Sequence, residues 1–150
     1  MTSDLDAVLR LVVATIVGLA IGFNRQITDK PIGMRTLALV ALGAAVAALA
    51  AINFDGIASA PQPLARVIQG ILEGVLAGIG FIGAGVVLHQ PRAHTVYGLT
   101  TAATVWVTAA LGIACALAAW TVVAAGLILA LAILFGLDWL ERRLLPRRSR

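Results

Sequence analysis

Charge is what this chain has least of. Only 12% of its 150 residues are Asp, Glu, Lys or Arg, about half the share found in a soluble domain. That is too little polar surface to enclose a water-soluble core when 61% of the residues are hydrophobic, so an ordinary globular enzyme is excluded. Aromatic residues are scarce as well, with four Phe, three Trp and one Tyr against fifteen Gly. Glycine at that density suits membrane helices, where small residues let backbones approach closely. The single cysteine, Cys115, has no partner for an intrachain disulfide and says nothing about redox compartment. No Walker loop, nucleophile–base pair, zinc spacing or dinucleotide fingerprint is present. The expectation is a protein without catalytic residues or cofactor; Mg2+ is conceivable but has no ligand cluster to hold it.

The apolar residues come in long runs, and five spans can be read from them: 5–23, 34–54, 64–88, 98–117 and 119–139. The last two follow from length. Val96–Leu137 carries no formal charge, and one unbroken helix over it would be about 63 Å long, twice a bilayer core of roughly 30 Å. A turn near Cys115–Trp120 is therefore required. The connections are short and punctuated: Asn24–Gly33 holds Pro31, Asn53–Pro63 holds Pro61 and Pro63, and His89–Tyr97 holds Pro91. The fold class expected is an all-α membrane protein, a single domain over residues 1–150. Met1–Asp6, with two acids and no cation, does not read as the start of a signal peptide.

The cations set an orientation. With five spans the termini lie on opposite sides. Placing the C-terminus in the cytoplasm puts Arg25, Lys30, Arg35, Arg92, Arg142, Arg143, Arg147, Arg148 and Arg150 inside, and leaves only Arg10 and Arg66 of the eleven outside. The net charge of +4 is thus explained by topology and does not call for nucleic acid. Tyr97 and Trp139 suit interface anchoring, and the arginine-rich tail suits anionic lipid. His89 and His94, five apart in a loop, lack a metal-ligand spacing.

Three patterns mark candidate positions. Ala14, Gly18 and Gly22 form a small-residue stripe on the first span; Gly70, Gly74 and Gly78 form another on the third, followed by Gly80, Gly83 and Gly85. Helix packing is the plain reading of both. Thr100, Thr104 and Thr108 repeat every fourth residue beside Thr101 on the fourth span. Either each hydroxyl bonds back to the carbonyl one turn earlier, or the stripe faces the bundle interior. Glu73 is the one acid well inside a span, a functional candidate by position. It lies about 22 Å from the cytoplasmic end of its helix, and Arg10 about 20 Å from the same side. Matching depths predict an Arg10–Glu73 intramembrane pair, or a proton or ion site; the alternative is a Glu73 that reaches the outer interface.

Four stretches together resemble the membrane domain of the MgtC/SapB family: Gly18–Gln26 (GLAIGFNRQ), Pro31–Ala45 (PIGMRTLALVALGAA), Gly78–Leu88 (GIGFIGAGVVL) and Gly98–Trp106 (GLTTAATVW). The matching positions are Gly22, Arg25, Gly33, Arg35, Thr36, Gly80, Gly83, Gly85, Gly98, Thr100 and Thr101. The resemblance implies a bacterial inner-membrane protein of about five helices with its N-terminus outside. It also implies a link to growth in low magnesium, stress adaptation, and partners that include the membrane part of ATP synthase. This chain departs from the pattern at Asn24, where the family usually has an acid, and in a longer approach through Gly70–Ala77, and it is expected to be a short form without the soluble domain that longer members carry after the last helix. Arg25, Arg35, Thr36, Thr100 and Thr101 fall at one membrane face; either the arginines serve as positive-inside anchors, or the group forms a polar cluster that binds an anion, a lipid headgroup or a partner loop. Two readings of function follow: a modulator that binds membrane partners or forms a homo-oligomer, and a cation or proton transporter that uses Glu73.

Overall fold

The computed structural model describes residues 3–28, 30–53, 61–88 and 98–144. Five helices follow one another: α1 (Asp4–Ile27), α2 (Met34–Ile52), α3 (Pro61–Leu88), α4 (Leu99–Ala116) and α5 (Trp120–Leu144). Four contain stretches long and apolar enough to cross a membrane: Asp4–Ile27, Met34–Ile52, Ile68–Val87 and Leu99–Ala116; the apolar part described in α5, Trp120–Gly136, is shorter. The tail beyond residue 144, His89, His94 and Tyr97 lie outside the described residues.

Helix ends explain where the spans depart from expectation. At the start of α1, Ser3 accepts the Asp6 N–H at 3.2 Å, and Asp4 and Asp6 sit at the positive end of the helix dipole. The same helix runs four residues beyond the expected end at 23, because Thr28 supplies its C-terminal cap through an N–H and a hydroxyl that both reach the Asn24 carbonyl. Asn24 and Arg25 are therefore helical, not part of the connection. Helix α3 starts at Pro61, three residues early; proline lacks only an N–H that the first turn would leave unpaired anyway. Gly98 precedes α4 at φ 91°, in the left-handed region.

Close contacts fix the packing. A Cβ on Gly18 would lie 2.5 Å from the Leu37 carbonyl oxygen and 2.7 Å from Ala38 Cα, and one on Gly22 would lie 2.5 Å from Met34 Cα. Further along the same face of α2, Gly112 of α4 is pressed against the backbone of Ala41. Helices α1 and α4 thus meet α2 backbone to backbone, along its buried stripe of Ala38, Ala41, Ala44, Ala45 and Ala48. In lipid, where tails are as apolar as leucine, such close approach supplies the dispersion that holds helices together. Helix α3 packs on α4 and α2, α5 packs on α4 and α1, and α1 and α3 do not meet among the described residues.

The α4–α5 turn occupies Leu117–Ala119. The Leu117 N–H donates to the Ile113 carbonyl, the Ala118 N–H to Cys115 and the Ala119 N–H to Ala114, each at 3.0 Å. The last two bonds make a Schellman motif, with Ala118 at φ 54° in the position that glycine usually takes.

Four variants, unfolded in detergent, check the packing and the turn. Gly18→Ala and Gly112→Ala each place a methyl group on backbone that has no free side chain to move aside, and should cost about 1–3 kcal/mol. Gly74→Ala, where a Cβ meets nothing within 4 Å, should be neutral or slightly stabilising. Ala118→Gly removes a left-handed alanine and should raise stability by about 1 kcal/mol.

Candidate functional site

Where α1 ends and α2 and α4 begin, a guanidinium is sealed inside the bundle. Arg25 is 2% exposed and Asn24 beside it 4%. The Arg25 Nη2 donates to the Thr101 hydroxyl, joining α1 to the first turn of α4 across 76 residues of sequence, while its Nε has no hydrogen-bond partner. The local backbone holds the group in place: the Arg25 carbonyl accepts from the Lys30 N–H at 3.0 Å and from the Thr28 hydroxyl at 3.3 Å. One turn earlier, Gly22 lies against Gly33 and Met34, which bring the start of α2 to the same end. Burying an arginine costs several kcal/mol unless its donors and charge are answered; a single neutral hydroxyl answers little of it.

Of the expected polar cluster, the structure unites Arg25 and Thr101. Arg35, Thr36 and Thr100 are exposed on the first turns of α2 and α4. The threonine ladder turns out to satisfy both of its readings at once. The Thr104 hydroxyl donates to the Thr100 carbonyl at 2.6 Å and Thr108 to Thr104 at 2.8 Å, yet Thr101, Thr104 and Thr108 are all buried. The Thr104 and Thr108 hydroxyls are consumed within their own helix and that of Thr101 meets Arg25, so the buried stripe adds no free polar group to the interior.

The expected Arg10–Glu73 pair does not form. Arg10 binds Asp6 one turn earlier, with Nη2 to Oδ2 at 2.6 Å, and donates from Nη1 to the Ala116 carbonyl of α4 at 2.7 Å. Glu73 is exposed and accepts from Gln69 at 2.8 Å. Equal depth was not enough, because α1 and α3 stand on different sides of the bundle. The Ala116 bond has its own logic: the turn after α4 satisfies Ile113, Ala114 and Cys115, and Arg10 takes the last of the four carbonyls that a helix end leaves open. A cation there also suits the negative end of the α4 dipole.

The glycines divide by use. Gly18 and Gly22 are packing glycines, and a Cβ on Gly83 would lie 3.2 Å from Ala102 Cβ of α4, whereas Gly70, Gly74, Gly78, Gly80 and Gly85 would carry a Cβ into open space. The sequence reading passed over Gly112, although Thr104, Thr108, Gly112 and Ala116 continue one spacing of four. It also missed the burial of Asn24, for which no local pattern gives a sign.

Outward faces this apolar on helices of bilayer-crossing length make the chain a polytopic α-helical membrane protein. Its family is MgtC: the match runs over residues 11–143, and the chain belongs to that family. It is 47% identical to SrpB of Synechococcus elongatus over 111 residues, covering 69% of this chain and 59% of SrpB. It is 32% identical to SapB of Bacillus subtilis over 149 residues, covering 97% and 62%. With MgtC of Salmonella typhimurium it shares 39% over 108 residues, covering 72% and 42%. The chain therefore spans between 42% and 62% of the length of these relatives. No solved structure matches it.

Arg10→Gln should lower unfolding stability in detergent by about 1–3 kcal/mol, because the Ala116 carbonyl loses its charged donor and Asp6 its counter-ion. A double-mutant cycle of Arg10→Gln with Glu73→Gln should return a coupling near zero. A large coupling would restore the pair that these contacts replace.

Proposed function

We propose that this chain is a five-span inner-membrane protein, N-terminus outside, that modulates magnesium or ion homeostasis, or membrane energetics, by binding other membrane proteins. The observation that carries the reading is the division of the glycines. Those on α1 and α4 are consumed by contact with α2, while Gly70, Gly74 and Gly78 of α3 lie exposed beside Phe81, which is 83% exposed. A small-residue face left open on a membrane helix is suited to a second helix, from another copy or from a different protein. The link to magnesium and to the membrane part of ATP synthase comes with the family resemblance.

Transport through the interior finds less support. Alanine backbones and self-bonded threonines occupy the space among α1, α2 and α4, and Glu73 lies on the outer face of α3. A chain that acts by binding should restore growth in low magnesium to a host lacking its own family member, with Gly74→Leu and Gly78→Leu folding normally and failing to restore it. Reconstituted in proteoliposomes, the protein should carry neither Mg2+ nor protons. Robust flux abolished by Glu73→Gln would overturn the reading.

A further inference from the structure

The charge of Arg25 is left largely unanswered by the helices around it. A guanidinium offers five N–H donors in a fixed fork. Here one of them meets the Thr101 hydroxyl, and the buried Nε meets nothing. The ion pair found among the described residues joins Arg10 to Asp6 at the opposite end of α1. The neighbouring helix ends add charge of the same sign. Both α2 and α4 begin at this end, and neither N-cap, Gly33 or Gly98, offers a side-chain acceptor to the first-turn N–H groups. The negative end of α1 offsets them only in part, since the Asn24 and Arg25 carbonyls are already bonded to Thr28 and Lys30. Among the described residues, a formal cation and two positive helix ends thus converge at one place, with the neutral, buried Asn24 beside them.

We propose that Arg25, with the first turns of α4 and α2, forms a binding site for a phosphate oxyanion. The fork of a guanidinium and the free amides of a helix N-terminus are the two protein groups that best match phosphate oxygens. Arg25 is two residues from the end of α1, a level at which a bilayer presents its headgroups. Gln26 and Thr100, the sequence neighbours of Arg25 and Thr101, are exposed, and exposed Arg35 in the first turn of α2 adds long-range attraction. The chemistry of the site is the same for a phosphate on a lipid headgroup and for one in solution. The site lies apart from the open face of α3 and does not depend on what binds there.

The test is thermal unfolding of the full chain in a neutral detergent, titrated separately with sodium phosphate, with phosphatidylglycerol in the micelles, and with sodium acetate and sodium chloride at matched ionic strength. At least one phosphate-bearing probe should raise the midpoint saturably, while acetate and chloride should not. Response to phosphatidylglycerol alone assigns a lipid headgroup, response to inorganic phosphate alone assigns a free anion, and response to both assigns the phosphate group itself. Arg25→Gln should fold with an unliganded midpoint equal to or above that of the parent, since an uncompensated buried cation is gone, and should lose the saturable rise. Arg25→Lys keeps the charge without the fork and should need about tenfold more of the probe; it also carries the test if Arg25→Gln fails to fold. Absence of any saturable rise, an equal rise with acetate, or a rise unchanged in the Arg25 variants would each overturn the proposal.

Discussion

Backbone contact at Gly18, Gly22 and Gly112 is the constraint on which the rest of this structure depends. Without a Cβ at these positions α1 and α4 settle directly on α2, and the three axes are fixed before any polar group takes part. Close approach then lets side chains of ordinary reach tie helices together. Two arginines on α1, fifteen residues or about 22 Å apart along the helix, both reach α4. Arg10 meets its last carbonyl and Arg25 meets a hydroxyl in its first turn. If α1 were displaced by the width of a methyl group or two, one or both of these clasps would be lost. Packing is thus the precondition for the polar contacts, and the polar contacts set the register that packing alone leaves free.

Much of this was legible from residue types. The five helices, the turn in the uncharged 42-residue stretch and the role of Gly18 and Gly22 all follow from apolar run lengths and spacing, which are local properties. Helix extension through Arg25 was not, because an arginine after an apolar run reads as a headgroup anchor unless its hydroxyl acceptor, 76 positions away, is known. The Arg10–Glu73 pairing failed for a related reason. Counting residues along a helix gives depth in the membrane but not position around the bundle, and two groups at the same level can be separated by an intervening helix. Gly112 lay within reach, since its spacing from Thr108 and Ala116 is the one already recognised on α1.

The two ends of the bundle carry different electrostatics. At one, Asp4 and Asp6 sit in the first turn of α1, and Arg10 answers both Asp6 and the end of α4, with its Nε left without a partner. At the other, α2 and α4 begin without side-chain caps beside a buried cation, and positive potential is left over. Asn24 sharpens the imbalance, because an acid there would have stood next to the guanidinium. A chain this poor in charge has few ways to make one end attract what the other does not, and it concentrates them in a few side chains and helix ends.

The turn at Leu117–Ala119 bears on how the protein reaches the membrane. Three backbone bonds close it and no charged side chain lies within residues 96–137, so carrying it across a bilayer moves neither an ion nor a bare carbonyl from α4, apart from the one on Ala116. The α4–α5 connection therefore leaves a single α4 carbonyl to be answered from outside the hairpin. That carbonyl is the one Arg10 covers, so the α4–α5 hairpin is fully satisfied only in contact with α1.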